Sequence, residues 1–431
     1  MRLVNALPAV EAPDAPPAAR PRLLWLGQTL PYPPDGGVHI RIYHVLRLLS
    51  RTFDITALSF YRRAERPTPA EITAGVRGLA PFARVEAFPI PDEFSHARLA
   101  WDHARSLLSG RAYTWYTYES RVFAAALERL LARERFDLVQ IDSLDLAAYL
   151  PMLRELPVVC VHHNVESALL RRRAAAERSA AMRWYVGRQA ELTERLERRW
   201  CGRVARNVAV SPLDLATLRS LAPEGRYLEV PNGVDVDAFR PAPGADRGIV
   251  STGGVNWFPN RDALDFFARD ILPRVRAVAG GTPVTWVGRA DGALRDQYRH
   301  AHGIELTGYV DDVRPHVRDA AVFVVPLRVG GGTRLKILDA WAMGKAVVST
   351  SVGCEGLDAR DGENILIRDD ADGFAAAVTN VLWDRDLRAR LGHAARETAE
   401  RRYSWEVIGE AMTRAYLELI AERRVPAGSA R

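Results

Sequence analysis

The sequence predicts an α/β protein built from two Rossmann-like domains that face each other across a cleft. Short apolar runs alternate with segments of helical periodicity, the alternation starts again after residue 246, and a stretch rich in turn formers separates the two series. Short apolar strands joined by helices are typical of parallel sheets that helices cover on both faces. Ligands bind such sheets at the carboxyl ends of the strands.

The first series of strands lies in residues 21–230, the predicted first domain. RLLWLG is the first strand candidate, and a loop ending in Gly36 and Gly37 joins it to a helical pattern. DITALSF, ARVEAFPI, FDLVQID, PVVCVHH and NVAVS are the next candidates. A charged helical stretch at about 166–203 includes three arginines from Arg171. It indicates a solvated helix or, alternatively, a basic surface resting on an anionic membrane.

The second series follows a predicted linker at 231–246 and forms a second domain at 247–403. Its strand candidates are GIVSTGG, TPVTWVG, GIELTG, AVFVVP, KAVVST and NILI, with helices at about 261–279, 333–343 and 373–382. A last helix over 404–423, with Ser404 as its N-cap, is expected to cross back to the first domain. Residues 1–20 are rich in Ala and Pro and are expected to be a disordered tail.

Composition argues against several function classes. The net charge is +6, but 57 of the basic residues are arginines, two are lysines, and they interleave with acids. A nucleic-acid binder would concentrate its basic residues on one face. The three cysteines lie far apart, which indicates neither a zinc site nor a disulfide framework. With no apolar run near the ~20 residues that span a bilayer, we expect a cytoplasmic protein, with possible peripheral contact at the inner face of the membrane.

The most informative stretch is AVFVVPLRVGGGTRLKILDAWAMGKAVVST. A strand runs into the glycines at 330–332, and a helix is predicted to begin near Thr333. Glycines let the backbone approach a ligand closely, and a helix N-terminus attracts phosphate. Arg334 and Lys336 are predicted in the first helical turn, where cations oppose the helix dipole and an anionic ligand would relieve the cost. The alternative is a glycine turn with an ordinary surface ion pair between Lys336 and Asp339.

These motifs together resemble the retaining family-4 glycosyltransferases (glycosyl transferases group 1) of the GT-B fold. MGKAVVST, SVGCEGL, PNGVDVDAF and TGYVDDVRPHVRDAAVFVVP extend the likeness through the second half, and PYPPDGG and VHHNVE carry it weakly in the first. The resemblance implies that a sugar moves from a nucleoside-diphosphate sugar to the hydroxyl of a glycan or lipid-linked acceptor. It further implies retention of anomeric configuration, no metal and no cofactor. Cell-envelope or exopolysaccharide synthesis is the expected setting.

The resemblance also implies residue roles. The family shows two glutamates eight residues apart at the glycine-rich site, and these positions hold Gly331 and Asp339 here. Asp339 is assigned to the donor ribose hydroxyls, whereas Gly331 has no side chain with which to orient the sugar. Family members often carry an Arg and a Lys early in the second domain, where this sequence offers only Arg261. Our hypothesis is that Arg334 and Lys336 neutralise the diphosphate instead.

The remaining candidates come from the same likeness. The amides of Gly36 and Gly37 are expected to face the donor phosphates or the acceptor, a tight turn being the alternative. His163, at the end of PVVCVHH, is expected near the transferred sugar, and His162 should point to the other side because strand residues alternate faces. The other donor contacts are assigned to Gly332 and Thr333 and, beside the base, to Tyr309 and Val310, for which core packing is the alternative.

Two competing functions remain open at this point. One is a sugar-nucleotide 2-epimerase of the same fold, which would need acid/base carboxylates in the cleft. The other is a non-catalytic protein that binds a sugar nucleotide or only a partner. Gly331, in place of a glutamate, favours the second of these.

Overall fold

The computed structural model describes residues 20–34, 36–63, 65, 68–330 and 334–424. The first sheet contains β1 (Arg22–Gly27), β2 (Asp54–Tyr61), β3 (Arg84–Pro89), β4 (Leu138–Asp142), β5 (Val158–His162), β6 (Arg206–Ala209) and β7 (Tyr227–Glu229). The second contains β8 (Ile249–Thr252), β9 (Val284–Val287), β10 (Ile304–Leu306), β11 (Val322–Val325), β12 (Val347–Ser349) and β13 (Leu366–Ile367). The predicted α/β class with two parallel sheets is confirmed.

The helices of the first half are α1 (Gly37–Leu49), α2 (Pro69–Leu79), α3 (His96–Ser109), α4 (Tyr113–Thr117), α5 (Arg121–Arg133), α6 (Glu166–Ala176), α7 (Ala180–Cys201) and α8 (Pro212–Leu221). Those of the second half are α9 (Phe258–Phe266), α10 (Leu272–Ala279), α11 (Gly292–His302), α12 (Arg314–Asp319), α13 (Leu335–Ala342), α14 (Ala371–Trp383), α15 (Arg385–Thr398) and α16 (Trp405–Arg424). The shorter elements are 3₁₀ segments at Pro91–Phe94 and Leu144–Leu153 and π-helical turns at Phe267–Ile271 and Ala399–Tyr403.

Strand order places the first strand of each domain near the middle of its sheet. The orders are β3-β2-β1-β4-β5-β6-β7 and β10-β9-β8-β11-β12-β13. Each order reverses direction beside the domain's first strand, and in open α/β sheets ligands bind at such a switch point. The loops after β1 and β4, and those after β8 and β11, are therefore the places to look for a site.

Most predicted elements coincide with observed ones, and the differences have local causes. Edge strand β7 has no counterpart among the predicted strands, because its three half-buried residues are too few to show a pattern. The predicted charged helix at 166–203 is two helices, α6 and α7, and Ser179 caps the second of them by accepting a hydrogen bond from the amide of Met182.

The last helix packs against the first domain. Trp405, Ile408 and Tyr416 of α16 are buried in the apolar core on one face of the first sheet, and Tyr416 donates a hydrogen bond to the side chain of Gln140 on β4. Ser404 precedes α16 and accepts a hydrogen bond of 3.4 Å from the amide of Val407. No helix in the described part of the chain is both long enough and apolar enough to cross a membrane.

Candidate active site

Lys336 lies at the carboxyl edge of the second sheet, beside the loop that follows β8. Its ammonium group donates a hydrogen bond of 2.9 Å to the side-chain oxygen of Asn260 on α9. A Cβ atom added to Gly253, the residue after β8, would lie 2.7 Å from the Lys336 nitrogen. Burial, with a smaller contribution from the charge of Arg334, lowers the pKa of Lys336 to about 7. Because Gly253 has no side chain, the Lys336 ammonium group can lie directly against the loop that follows β8.

Asp339 lies one turn along α13 from Lys336 and does not pair with it. No hydrogen bond or ion pair reaches the Asp339 carboxylate from the described residues, and burial raises its pKa to about 7. The alternative of a surface ion pair between these two residues is therefore wrong, because the lysine bonds to Asn260 instead. The result is a half-buried cation and a half-buried carboxyl group, each of which lacks a partner of opposite charge among these residues.

Arg334 caps α13 rather than lying in its first turn, because the helix begins at Leu335. Its guanidinium group is buried and donates hydrogen bonds of 3.3 and 3.4 Å to the carbonyl oxygen of Val352. Burial lowers the pKa of Arg334, whereas the charge of Glu355 opposes that shift. Three predicted donor-binding residues, Gly331, Gly332 and Thr333, lie outside the described residues.

The first domain meets this edge at the N-terminus of α1. Gly36 is the N-cap and Gly37 the first residue of that helix. A Cβ on Gly37 would lie 3.2 Å from a methyl carbon of Leu335, so the N-termini of α1 and α13 face each other. Farther along the interface, Arg172 of α6 forms an ion pair of 3.3 Å with Glu355. The N-termini of α1 and α13 thus lie on opposite sides of one interdomain gap.

His163 follows the last residue of β5 directly, and its side chain turns toward the neighbouring strand β4. Its Nε2 atom lies 3.3 Å from a carboxylate oxygen of Asp142, and both side chains are almost fully buried. The two strands pair with Asp142 opposite Val161, which brings the residues after the strand ends side by side. His162 points the other way and shares a hydrogen bond of 3.0 Å with Asn207, as the alternation of faces predicted.

Two further carboxyl groups lie near His163. Burial, reinforced by the charge of Asp145, raises the pKa of Glu166 to about 7, and Asn164 donates a hydrogen bond of 3.4 Å to it. Burial also raises the pKa of Asp145 itself. Ser143, between Asp142 and this group, has a φ of 88°. A positive φ in a residue with a side chain is uncommon and occurs often at functional sites.

Tyr309 and Val310, assigned to the nucleotide base, lie beyond the end of β10. Tyr309 is 66 % exposed, and the guanidinium carbon of Arg289 lies 5.2 Å from the centre of its ring. Val310 is partly buried against the core of the second domain. An exposed aromatic face beside an arginine could stack on a flat heterocycle.

Arg261, the other cation near the start of the second domain, forms its contacts away from Lys336. Its guanidinium group lies 3.4 Å from the carboxylate of Asp265 on the same helix and 5.4 Å from the ring centre of Tyr298. Lys336 instead lies beside the loop after β8.

Sequence reasoning missed four residues of this region: Asp142, Asn260, Gly253 and Arg289. The sequence did carry a signal for two of them. Asp142 ends the strand candidate FDLVQID and Gly253 lies at the end of GIVSTGG, and polar or small residues at strand ends often mark sites in this class of fold. The contact between Asn260 and Lys336 left no such signal, because 76 residues separate them.

Two family descriptions match the chain, one in each half. Residues 35–238 match Glycosyltransferase Family 4, and residues 246–384 match Glycosyl transferases group 1. The matches leave only the two ends and a short interdomain segment uncovered.

Curated relatives are similar over part of their length. The phosphatidyl-myo-inositol mannosyltransferase of Mycolicibacterium smegmatis is 32 % identical over 202 residues, which cover 44 % of this chain and 51 % of that protein. The lipopolysaccharide core biosynthesis glycosyltransferase LpsE of Rhizobium meliloti is 39 % identical over 127 residues, covering 28 % of this chain and 34 % of that protein. The matches thus span about half or less of these two relatives.

Solved structures share the fold over most of the chain. The sucrose-phosphate synthase from Thermosynechococcus elongatus superposes with a TM-score of 0.68 at 18 % identity, covering 93 % of this chain and 100 % of that one. Anabaena Alr3699/HepE, solved in complex with UDP, gives a TM-score of 0.64 at 14 % identity, covering 92 % and 100 %.

Proposed function

We propose that this chain, a member of the family-4 glycosyltransferases (glycosyl transferases group 1), moves a sugar from a nucleoside-diphosphate sugar to an acceptor hydroxyl. The observation that carries the proposal is the Lys336 ammonium group, which is half-buried beside Gly253 and pairs with no carboxylate in the described residues. A buried cation is costly unless an anion joins it. A diphosphate is such an anion. It could approach Lys336 closely, because Gly253 beside the lysine has no side chain.

The donor would span the edge of the second sheet. Its diphosphate would contact Lys336 and the N-terminus of α13, and its ribose hydroxyls would bond to Asp339, whose carboxylate can accept two such bonds. Arg334 would act by holding the start of α13 against Val352 rather than by direct contact, because its guanidinium group is already bonded there. The base would lie toward Tyr309 and Val310.

Charge builds on the leaving diphosphate as the glycosidic bond breaks. Lys336 and the amides at the start of α13 would stabilise that charge where it develops, a task that needs no metal ion in this proposal. His163, held toward Asp142, would face the transferred sugar from the opposite domain. The leaving phosphate would accept the proton of the attacking hydroxyl on the same face, which retains the anomeric configuration.

The acceptor would enter from the first domain. The names of the two relatives refer to a phosphatidylinositol acceptor and to the lipopolysaccharide core, so a lipid-linked or envelope glycan is the acceptor class we propose. The carboxyl groups near His163 suit this side, because they can accept hydrogen bonds from sugar hydroxyls.

The first experiment identifies the donor and tests Lys336 together. Thermal-shift screening of UDP-, GDP- and ADP-sugars finds the ligand that raises the melting temperature, and titration calorimetry then measures its Kd. We expect Lys336→Ala to raise that Kd roughly tenfold to a hundredfold, since a hydrogen bond to a charged group contributes about 1.5–3 kcal/mol. An unchanged Kd would remove Lys336 from the site.

Lys345→Ala is the matched control. It removes the only other lysine, just beyond the same helix, where the ammonium group donates to the backbone carbonyls of Arg318 and Ala320. We expect a lower melting temperature and an unchanged donor Kd.

The products separate the alternatives. Labelled donor incubated with envelope lipid extract should give a labelled glycolipid, and NMR of the new linkage should show the donor's anomeric configuration. An epimerised donor without transfer would instead assign the acid/base role to His163 and Glu166, as a 2-epimerase requires. Binding without turnover would support the non-catalytic alternative, and loss of turnover in EDTA would contradict a metal-free reaction.

A further inference from the structure

A cavity of about 610 Å³ lies in the first domain at the edge opposite the cleft. Pro157 and Val158, at the beginning of β5, line it, whereas His163 follows the end of that strand. Five residues of strand separate the two places by about 16 Å at ~3.3 Å per residue. The cavity is therefore distinct from the candidate active site.

The charge around this cavity is all of one sign. Its lining contains five arginines and no acidic residue: Arg111, Arg154, Arg195, Arg199 and Arg203. Within the described residues, none of the five guanidinium groups forms an ion pair or a side-chain hydrogen bond. Many of the chain's other arginines are paired with carboxylates, such as Arg198 with Glu194 on the same helix. The cluster thus lacks the counter-charge that the protein supplies elsewhere.

Two tryptophans, Trp115 and Trp200, line the same cavity together with the arginines. Arg111 lies over the ring of Trp115, 5.0 Å from its centre, and Arg199 and Arg203 lie 5.5 and 5.7 Å from that of Trp200. The two indole rings thus hold three of the five guanidinium groups beside the cavity through cation–π contacts.

The rest of the lining is apolar. Leu150, Leu153, Leu156, Leu192 and Leu196 line the cavity together with Pro151. Leu156 and Leu196 are only half-buried, so a small inorganic anion would leave their exposed parts uncovered. A neutral apolar ligand would leave the arginines without a counter-charge. A ligand that satisfies both halves carries an anionic head on an apolar body.

We propose that this cavity binds a single molecule of an anionic phospholipid. The phosphate accepts hydrogen bonds from the guanidinium groups, and an acyl chain lies against the half-buried side chains of Leu156 and Leu196. Because the cavity lies at the opposite edge from the cleft, the bound lipid is not the acceptor of the transfer reaction. It is a ligand that holds the first domain at a lipid surface while the cleft stays open to the donor.

The test is titration calorimetry on the full chain with short-chain dihexanoyl phosphatidylglycerol, below the concentration at which it forms micelles. We expect saturable binding, and at least a tenfold weaker Kd in Arg195→Ala/Arg199→Ala. Both arginines are exposed on α7, so their removal should leave the melting temperature and the donor Kd unchanged. Arg385→Ala/Arg390→Ala is the matched control, because it removes two exposed arginines from α15 and should bind the lipid as the wild type does.

Three outcomes would overturn the proposal. One is absence of binding, or an equal loss in both double variants, which would indicate attraction to net charge alone. Another is equally tight binding of glycerol phosphate, which would make the cavity a site for soluble phosphates. The third is equally tight binding of dihexanoyl phosphatidylcholine, which would show that the arginines do not select the head group. None of these results depends on whether the cleft transfers a sugar.

Discussion

The carboxyl edges of the two sheets share an architecture and differ in charge. The edge of the first sheet gathers a histidine and carboxyl groups, with His163 beside Asp142 and Glu166 nearby. The edge of the second sheet presents Lys336 beside the bare backbone of Gly253. The first edge suits hydroxyl groups and protons, whereas the second suits an anion. Two copies of one architecture can thus divide a reaction between them, because the side chains at the strand ends decide the chemistry.

Both edges carry buried ionisable groups, and burying such groups costs free energy. In the proposed reaction the donor would offset that cost at the edge of the second sheet. Burial brings the pKa of Lys336 down to about 7 and that of Asp339 up to about 7. A bound diphosphate and ribose would supply the partners that these groups lack. His163 and Asp142 instead face each other inside the protein. The second edge should therefore respond to ligand in its stability, and the first edge should respond mainly in its catalytic rate.

The largest expected effect follows from the open backbone at Gly253. In Gly253→Ala the new methyl group would lie 2.7 Å from both the Lys336 nitrogen and the side-chain nitrogen of Asn260, so the lysine must move out of the gap. The φ of 132° is also unfavourable for any side chain. We expect the donor Kd to rise about a hundredfold, the upper end of the range expected for Lys336→Ala and roughly 3 kcal/mol, measured by titration calorimetry.

Gly280→Ala provides the control for that variant. Gly280 also has a positive φ, 60°, but an added Cβ would meet no atom within 4 Å. It should lose about 1 kcal/mol of stability through backbone strain and keep the donor Kd. Equal losses of affinity in both variants would mean that strain, and not the displaced lysine, weakens binding.

The two edges also differ in how far the sequence predicted them. For the second edge, the glycine-rich stretch and the family resemblance led to the hypothesis that Arg334 and Lys336 neutralise the diphosphate. The structure places Lys336 at that edge, and its role there stays a prediction. For the first edge, His163 was named but its partner Asp142 was not. That contact depends on the register of β4 against β5, which a single sequence does not specify.

Side-chain direction limited the predictions in a second way. Arg334 and Lys336 were grouped because both were predicted in the first turn of one helix, yet residues two apart on a helix do not share a face. In the structure Arg334 turns back to the carbonyl group of Val352, while Lys336 reaches Asn260 on another helix. The helical pattern correctly predicted that Lys336 lies on α13. Its partner Asn260 lies on α9, and the sequence pattern carries no information about that contact.

The adjacent histidines offer the next test, because one faces each side of the sheet. His163→Ala should lower the kcat of the folded protein about a hundredfold, within the range for a group that acts in the transition state, with little change in donor Kd. It should also lose some stability, because its side chain is nearly buried. His162→Ala should lower stability by roughly 2–4 kcal/mol and leave kcat unchanged, because it leaves a cavity and removes the partner of the Asn207 side-chain oxygen.

Steady-state rates and thermal melts on both variants measure that split. If His163→Ala unfolds as readily as His162→Ala and its remaining folded fraction keeps full kcat, the first edge has no part in the reaction. The same pair then identifies both histidines as structural.

The smallest effect concerns Asp339, where function and stability should oppose each other. Its carboxyl group has a pKa of about 7 in the folded chain and an ordinary value of 3.8. Between these values the folded state holds a proton that the unfolded state has lost, so stability falls as pH rises through this window. Asp339→Asn removes the penalty. At pH 8 its melting temperature should exceed the wild-type value by roughly 2–4 °C, the shift that about 1 kcal/mol produces, while the donor Kd rises about tenfold.

The pH dependence makes this prediction specific. The difference in melting temperature should be close to zero at pH 4, should grow up to about pH 7 and should then level off. Asp319→Asn is the control of opposite sign, because a hydrogen bond from Arg318 lowers the pKa of that carboxyl group, and its loss should slightly lower stability at pH 8. A melting difference for Asp339→Asn that stays constant from pH 4 to 8 would show that Asp339 ionises normally. The edge of the second sheet would then lack the destabilising buried carboxylate that distinguishes it from the edge of the first sheet.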